Sequence, residues 1–154
     1  MLEPSLLLAD EPVSMLDVSV RAGVLSLLDG LRGDGRMGIL MITHDLSTAA
    51  HFADRIAVMY LGRIVEEGPA AEVVRNPQHP YTKALLSVVP ARDPRLRAAP
   101  QLLAGEAPDP VQVPPGCRFQ PRCPVAVEAC LREDPALRAL AGTLPGHQAA
   151  CILA

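Results

Sequence analysis

The sequence predicts an α/β fold, a partial parallel sheet with helices, followed by a proline-rich arm and a small cysteine-rich extension. Three observations predict it. The run Leu6-Leu7-Leu8-Ala9 is continuously apolar without alternation, as in a buried strand covered on both faces by helices. Apolar residues at Val20, Val24, Leu27, Leu28 and Leu31 trace a helical stripe. A second apolar run, Gly38-Ile39-Leu40-Met41-Ile42-Thr43, follows it. Strand, helix and strand in this order make a right-handed crossover between parallel strands the default.

Each element follows from local pattern. The strand over 6–11 ends in Asp10 and Glu11, and the helix beginning at Val18 should stop at Gly33-Asp34-Gly35. Residues 46–53 can form a short helix, and 55–60 with 63–67 alternate like two strands about Leu61-Gly62. Residues 70–74 and 81–88 read as short helices divided by Asn76-Pro77-Gln78-His79-Pro80. From Pro90 the pattern changes. Prolines recur at 94, 100, 108, 110, 114 and 115 with few periodic apolar residues, which marks 90–116 as a linker or extended arm. The expected division is 1–89, 90–116 and 117–154.

Of 154 residues, 49% are hydrophobic and 20% charged, as in a folded chain, while 16 prolines against 3% aromatics demand loop-rich stretches. A formal charge of -3 offers no basic footprint, so nucleic acid is not expected as a partner. No apolar run reaches the ~18–20 residues that span a bilayer, and Met1-Leu2-Glu3-Pro4 lacks a secretory pattern. A cytoplasmic location is expected.

In open parallel sheets, ligands bind beyond the carboxyl ends of the strands, where loops and helix N-termini converge. Asp10, Glu11 and His44 all fall on that edge. A carboxylate there can hold hydrated magnesium against phosphate oxygens, and its neighbour can accept a proton from attacking water. An isolated acidic pair more often opens a solvated loop. Here Leu6-Leu7-Leu8-Ala9-Asp10-Glu11-Pro12 is followed by Ser14-Met15-Leu16-Asp17 and, after a helix and a strand, by Thr43-His44-Asp45. This ordered set resembles the ABC transporter ATPases, a family of P-loop NTPases. The resemblance implies that Asp10 is the magnesium-associated Walker B aspartate and Glu11 the carboxylate that polarises water. It makes Asp17 the D-loop aspartate beside nucleotide at a subunit interface, and His44 the switch histidine at the terminal phosphate. Val13 and Met15 stand where threonine and alanine are commoner in the family.

A triphosphate needs a glycine-rich loop with Lys and Ser or Thr, because backbone amides and the ammonium neutralise it. No G-x-x-x-x-G-K-S/T occurs, nor does the Leu-Ser-Gly-Gly-Gln-like signature that precedes Walker B in the family. Gly33-Asp34-Gly35-Arg36-Met37-Gly38 spells G-x-G-x-x-G, yet it follows a helix and leads into a strand, the reverse of a dinucleotide fingerprint. The resemblance therefore runs from Walker B onward. The expectation is a truncated product, an alternative start or a sequence fragment, which does not hydrolyse ATP alone.

Tyr60-Leu61-Gly62-Arg63-Ile64-Val65-Glu66-Glu67-Gly68 and Asn76-Pro77-Gln78-His79-Pro80-Tyr81-Thr82 are similar to the ATPases of oligopeptide and dipeptide importers. Asn-Pro and His-Pro also suit turns before a helix. Cys117, Cys123, Cys130 and Cys151 give C-x5-C-x6-C-x20-C, which matches no standard ferredoxin or zinc-ribbon spacing. Cytosolic reduction argues against disulfides. Four thiolates can bind an iron–sulfur cluster or tetrahedral zinc, and free or buried thiols are the alternative. The importer ATPases carry such an extension, in some members with a 4Fe-4S cluster, so by resemblance all four cysteines are candidate ligands. A segment of ~35 residues has too little apolar burial to fold without a staple or a partner, and a structural metal is expected to hold it.

The reading that results is the C-terminal portion of an importer's ATP-hydrolysing subunit, using ATP with magnesium when intact. Its implied partners are a second ATPase subunit, transmembrane permease subunits and, indirectly, a solute-binding protein. This places it peripherally at the cytoplasmic face of the cell membrane. The competing reading, from a different class, is a non-catalytic interaction module whose four cysteines hold an iron–sulfur cluster or zinc.

Overall fold

The computed structural model describes residues 4–32, 37–89, 99–106 and 108–154, and the chain divides into two compact units, Met1–Phe52 and Ala53–Ala154. The first unit runs β1 (Leu6–Asp10), α1 (Val18–Arg32), β2 (Gly38–Ile42) and α2 (Leu46–Phe52). β1 and β2 pair in parallel, in register from Leu6–Gly38 to Asp10–Ile42, as the strand-helix-strand pattern requires. The expected burial of the first strand is corrected. Leu6 and Leu8 are 55% and 68% exposed, and they share their face with Leu40 and Ile42, also more than half exposed. Only the opposite face, with Leu7, Ala9, Ile39 and Met41, is half-buried, because among the described residues the sheet of this unit has just two strands. So much bare apolar strand predicts low solubility for the isolated chain.

The helical stripe narrows for the same reason. Leu25 is buried, with Val24 and Leu28 half-buried beside it, whereas Val20, Leu27 and Leu31 are exposed. Two strands give α1 footing for only a thin apolar line. The expected stop at Gly33-Asp34-Gly35 lies outside the described residues.

The second unit begins with the antiparallel hairpin β3 (Arg55–Tyr60) and β4 (Arg63–Pro69). Leu61 and Gly62 turn it with φ of 45° and 72°, the left-handed pair that a two-residue hairpin loop needs. Helices α3 (Ala70–Arg75) and α4 (Pro80–Ser87) follow. Pro80 opens α4 where a missing N–H costs nothing, and His79 Nδ1 caps it by accepting from the Tyr81 backbone N–H at 3.1 Å.

On β3 alternation holds, burying Ile56, Val58 and Tyr60. On β4 it fails. The register jumps from Val58–Glu66 to Met59–Ile64, so Val65 is an extra residue and both Val65 and Glu66 point inward.

The extension joins this sheet. Its two-residue strands β5 (Arg138–Ala139) and β6 (Gln148–Ala149) complete the order β3-β4-β6-β5. β6 lies antiparallel to β4, with Glu66 opposite Ala149, and the Ala150 N–H donates to Val65 O at 2.8 Å. Phe119, 1% exposed, closes a ring cluster with Tyr60, Tyr81 and His79 at centroid distances of 5.2, 5.4 and 5.6 Å. Each such aromatic pair adds roughly 0.5–1.5 kcal/mol beyond its buried area. Arg118 donates to Leu61 O at the hairpin tip, and Arg63 pairs with Asp134. The extension thus has a partner in β4 that supplies the burial a short segment lacks alone.

Residues 90–98 of the proline-rich arm lie outside the described residues. Its remaining described part, 99–106 and 108–116, contains no helix or strand. It is tied at Gln101, whose N–H donates to Ser87 Oγ at 2.8 Å, and at Ala104, whose carbonyl accepts from Arg122 Nε at 3.2 Å. Among the described residues no helix is long and apolar enough to cross a membrane.

Candidate functional site

The parallel pairing of β1 and β2 brings their carboxyl ends side by side. The Glu11 N–H continues the ladder to Ile42 O at 2.9 Å, so Glu11 and His44 leave the sheet together. His44 Nδ1 then meets Glu11 Oε1 at 2.7 Å. Since a carboxylate only accepts, Nδ1 carries the hydrogen and Nε2 is left free on a largely exposed ring. This hydrogen bond, with smaller help from the His44 charge and Ser14, holds the Glu11 carboxyl below the usual carboxylate range. Glu11 is therefore an anion at neutral pH, aimed at an imidazole.

Glu11 has φ of 43°, a left-handed conformation uncommon for a residue with a Cβ. Ser14 steadies the turn, its N–H and Oγ both donating to Glu11 O, at 3.3 and 3.1 Å. Asp10 ends β1 immediately before this turn, exposed on the face it shares with Leu6 and Leu8.

Asp17 does not join the pair. It caps α1, with Oδ1 accepting from Ser19 Oγ at 2.8 Å and the Val20 N–H at 3.0 Å. Those bonds, the Val20 amide first, depress its pKa. Asp45, which the sequence reading left without a role, does the same for α2. It accepts from the Ser47 and Thr48 amides at 3.0 and 3.2 Å and from Thr48 Oγ1 at 2.7 Å, and the Thr48 hydroxyl bond leads in lowering its pKa. Arg21 of α1 reaches Asp45 at 3.5 Å. The residue after His44 is thus pinned by a helix N-terminus, which fixes the backbone that presents the imidazole. An Asp immediately before the helix, with Ser47 and Thr48 in its first turn, was the available signal.

The four cysteines are free thiols, Cys130 buried and Cys117, Cys123 and Cys151 half-buried. Burial pushes the Cys117 and Cys123 thiols up, and the neighbouring thiols of Cys130 and Cys151 push them further. The four therefore share one neighbourhood. They do not converge: among the described residues no group of three or more His, Cys, Asp or Glu side chains is arranged to hold a metal ion. As placed, these side chains do not fit a bound cluster, and the raised pKa values of Cys117 and Cys123 favour neutral thiols at those two positions.

Residues 65–130 match the family model described as oligopeptide/dipeptide transporter, C-terminal region. A Brucella ovis protein whose name assigns it to peptide import and ATP binding is 46% identical over 151 residues, 98% of this chain and 47% of the relative. The dipeptide transport ATP-binding protein of Haemophilus influenzae is 50% identical over 137 residues, covering 89% of this chain and 42% of the relative. The oligopeptide transport ATP-binding protein of Escherichia coli is 49% identical over 138 residues, covering 88% and 41%. The chain spans less than half the length of these relatives.

Proposed function

The chain belongs to the ATP-binding proteins of oligopeptide and dipeptide transporters, and from that premise we propose that it supplies the hydrolysing edge of an importer's ATPase subunit. The observation that carries this is the Glu11–His44 contact of 2.7 Å at the carboxyl end of parallel strands. In this reading Glu11 polarises the attacking water, and His44 offers Nε2 to the terminal phosphate while Nδ1 keeps the carboxylate oriented. Asp10 would hold magnesium, whose charge draws electron density from the phosphate oxygens. Asp17, at the start of α1, serves the contact with a second ATPase subunit beside bound nucleotide. Permease subunits convert the resulting closure into peptide uptake at the cytoplasmic membrane face, with a solute-binding protein delivering cargo on the far side. Residues 1–89 carry the ATPase portion, 90–116 the connecting arm and 117–154 the extension.

Because the sequence holds no phosphate-binding loop, the test supplies one. The chain is co-expressed with the segment of a relative that precedes the matched region, and magnesium-dependent ATP turnover is measured. Turnover is expected from the pair and from neither part alone, and Glu11→Gln should lower it by about 10²–10⁴-fold. A soluble pair that stays inactive, or activity indifferent to Glu11→Gln, overturns the assignment.

The proximity of the thiols favours a second, structural role for the extension. Cys117, Cys123, Cys130 and Cys151 would hold an iron–sulfur cluster or zinc if their side chains rearranged to converge. Iron, sulfide and zinc analysis of anaerobically purified protein checks this. Zinc near one equivalent, or iron and sulfide each near the four equivalents of a 4Fe-4S cluster, lost in Cys123→Ser supports it, and well-folded protein without metal refutes it.

A further inference from the structure

Glu66 on β4 is fully buried and accepts three hydrogen bonds. The Gln78 N–H reaches Oε1 at 2.8 Å, the His79 N–H reaches Oε2 at 2.9 Å, and His147 Nε2 reaches Oε1 at 2.7 Å. Three donors around one carboxyl group make a site for negative charge. The two imidazoles near that charge have opposite duties. His79 Nδ1 accepts from the Tyr81 N–H, so this nitrogen bears no hydrogen and the ring is neutral. Burial also pushes the pKa of His79 down to about 4, against the pull of Glu66, with Lys83 adding to the lowering.

His147 is placed otherwise. Its Nε2 donates to Glu66, while its Nδ1 is buried without a hydrogen-bond partner and lies 3.9 Å from Glu72 Oε1 on α3. A neutral ring would turn a bare lone pair toward that second carboxylate, whereas a ring protonated at both nitrogens turns an N–H toward it. The surrounding charges complete the account. Arg55 of β3 donates to Gly146 O at 3.3 Å and lies 3.9 Å from Glu67. Asn76 Nδ2 donates to Glu72 Oε1 at 2.9 Å. Arg138 of β5 is exposed, across the strand pair from Ala149. Gly68 makes room for the ring, since a Cβ there would stand 3.0 Å from His147 Cδ2.

We propose that the extension is fastened to β4 by a doubly protonated His147 shared between Glu66 and Glu72, a charged latch. β6 follows His147 directly, so the latch holds the strand that pairs with β4. A neutral ring would leave a lone pair facing Glu72. Docking through this latch does not depend on cysteine ligation.

The 154-residue chain, 15N-labelled at histidine and carrying His44→Asn and His51→Asn, leaves the two buried imidazoles for long-range proton–nitrogen spectra. At neutral pH one ring should show both nitrogens protonated and the other a single protonated nitrogen. Glu72→Gln keeps the Glu66 contacts and weakens the latch. Exchange of the Ala150 amide, corrected for its intrinsic pH dependence, should then quicken by about fivefold at neutral pH. Two neutral rings at neutral pH, or Ala150 exchange unchanged by Glu72→Gln, would overturn the proposal.

Discussion

Glu66→Ala is expected to lower the stability of the Ala53–Ala154 unit by roughly 3–5 kcal/mol, the usual cost of removing one partner from a buried ion pair. The carboxylate is the meeting point of three chain segments: β4 carries it, the Gln78–His79 turn donates two amides to it, and His147 brings the extension. Its loss strands the buried His79 N–H, the part-buried Gln78 N–H and the buried His147 imidazole without their shared acceptor. Glu66→Gln should recover little, because its NH2 group would face one of the same donors.

Denaturation followed by near-ultraviolet circular dichroism measures this. The chain has no tryptophan and its only two tyrosines, Tyr60 and Tyr81, meet edge to face at 4.7 Å between ring centroids in the cluster with Phe119, so the tyrosine signal is local to the unit. Glu67→Ala, one residue along and partly exposed, is the control and should cost under about 1 kcal/mol. Equal losses for both variants would remove Glu66 from its organising place.

The contrast between Glu66 and Glu67 also marks where sequence reading stops. Long, periodic elements were legible: β1, α1, β2 and the β3–β4 hairpin fall within one or two residues of their expected limits, because apolar runs and turn residues act locally. The meeting of Glu11 with His44 was legible too, since parallel pairing aligns strand ends whatever the loops do. Burial was less so. The apolar run over β1 suggested cover on both faces, yet Leu8 stands exposed where, among the described residues, the sheet is two strands wide.

Glu66 was read as one member of an alternating strand, and only the extra residue Val65 turns it inward. A bulge leaves no local mark in these residue types. β5 and β6 are two residues each, too short for any period, and His147 is a solitary histidine in a loop. Phe119 was overshadowed by the cysteines around it. Its rarity was the usable signal: in a chain with two phenylalanines, one placed between Cys117 and Cys123 marks an anchor for the extension.

Gly116→Ala should be as damaging as the Glu66 change, through backbone geometry alone. Gly116 has φ of 69°, and a Cβ there would stand 2.4 Å from Cys130 O, 2.6 Å from Leu131 C and 2.8 Å from Leu131 O. All three are backbone atoms, so no rotamer relieves the overlap. The contact occurs where the Cys117 N–H donates to Cys130 O at 2.9 Å, joining the first and third cysteines of the extension and setting the approach of Phe119 to its ring cluster. Forcing a Cβ in spreads that contact, adding to the ~1–2 kcal/mol of the left-handed conformation itself.

A total of about 3 kcal/mol or more is expected. Gly142→Ala separates the two causes, because Gly142 shares the conformation, with φ of 75°, but an added Cβ meets nothing within 4 Å. Hydrogen exchange at Ala150, whose N–H is bonded to Val65 O, reads both variants. Gly142→Ala should speed it slightly and Gly116→Ala should abolish its protection. Equal effects would mean that the close approach of Gly116 to Cys130 does not hold the extension, leaving the Glu66–His147 contact and the Phe119 cluster to do so.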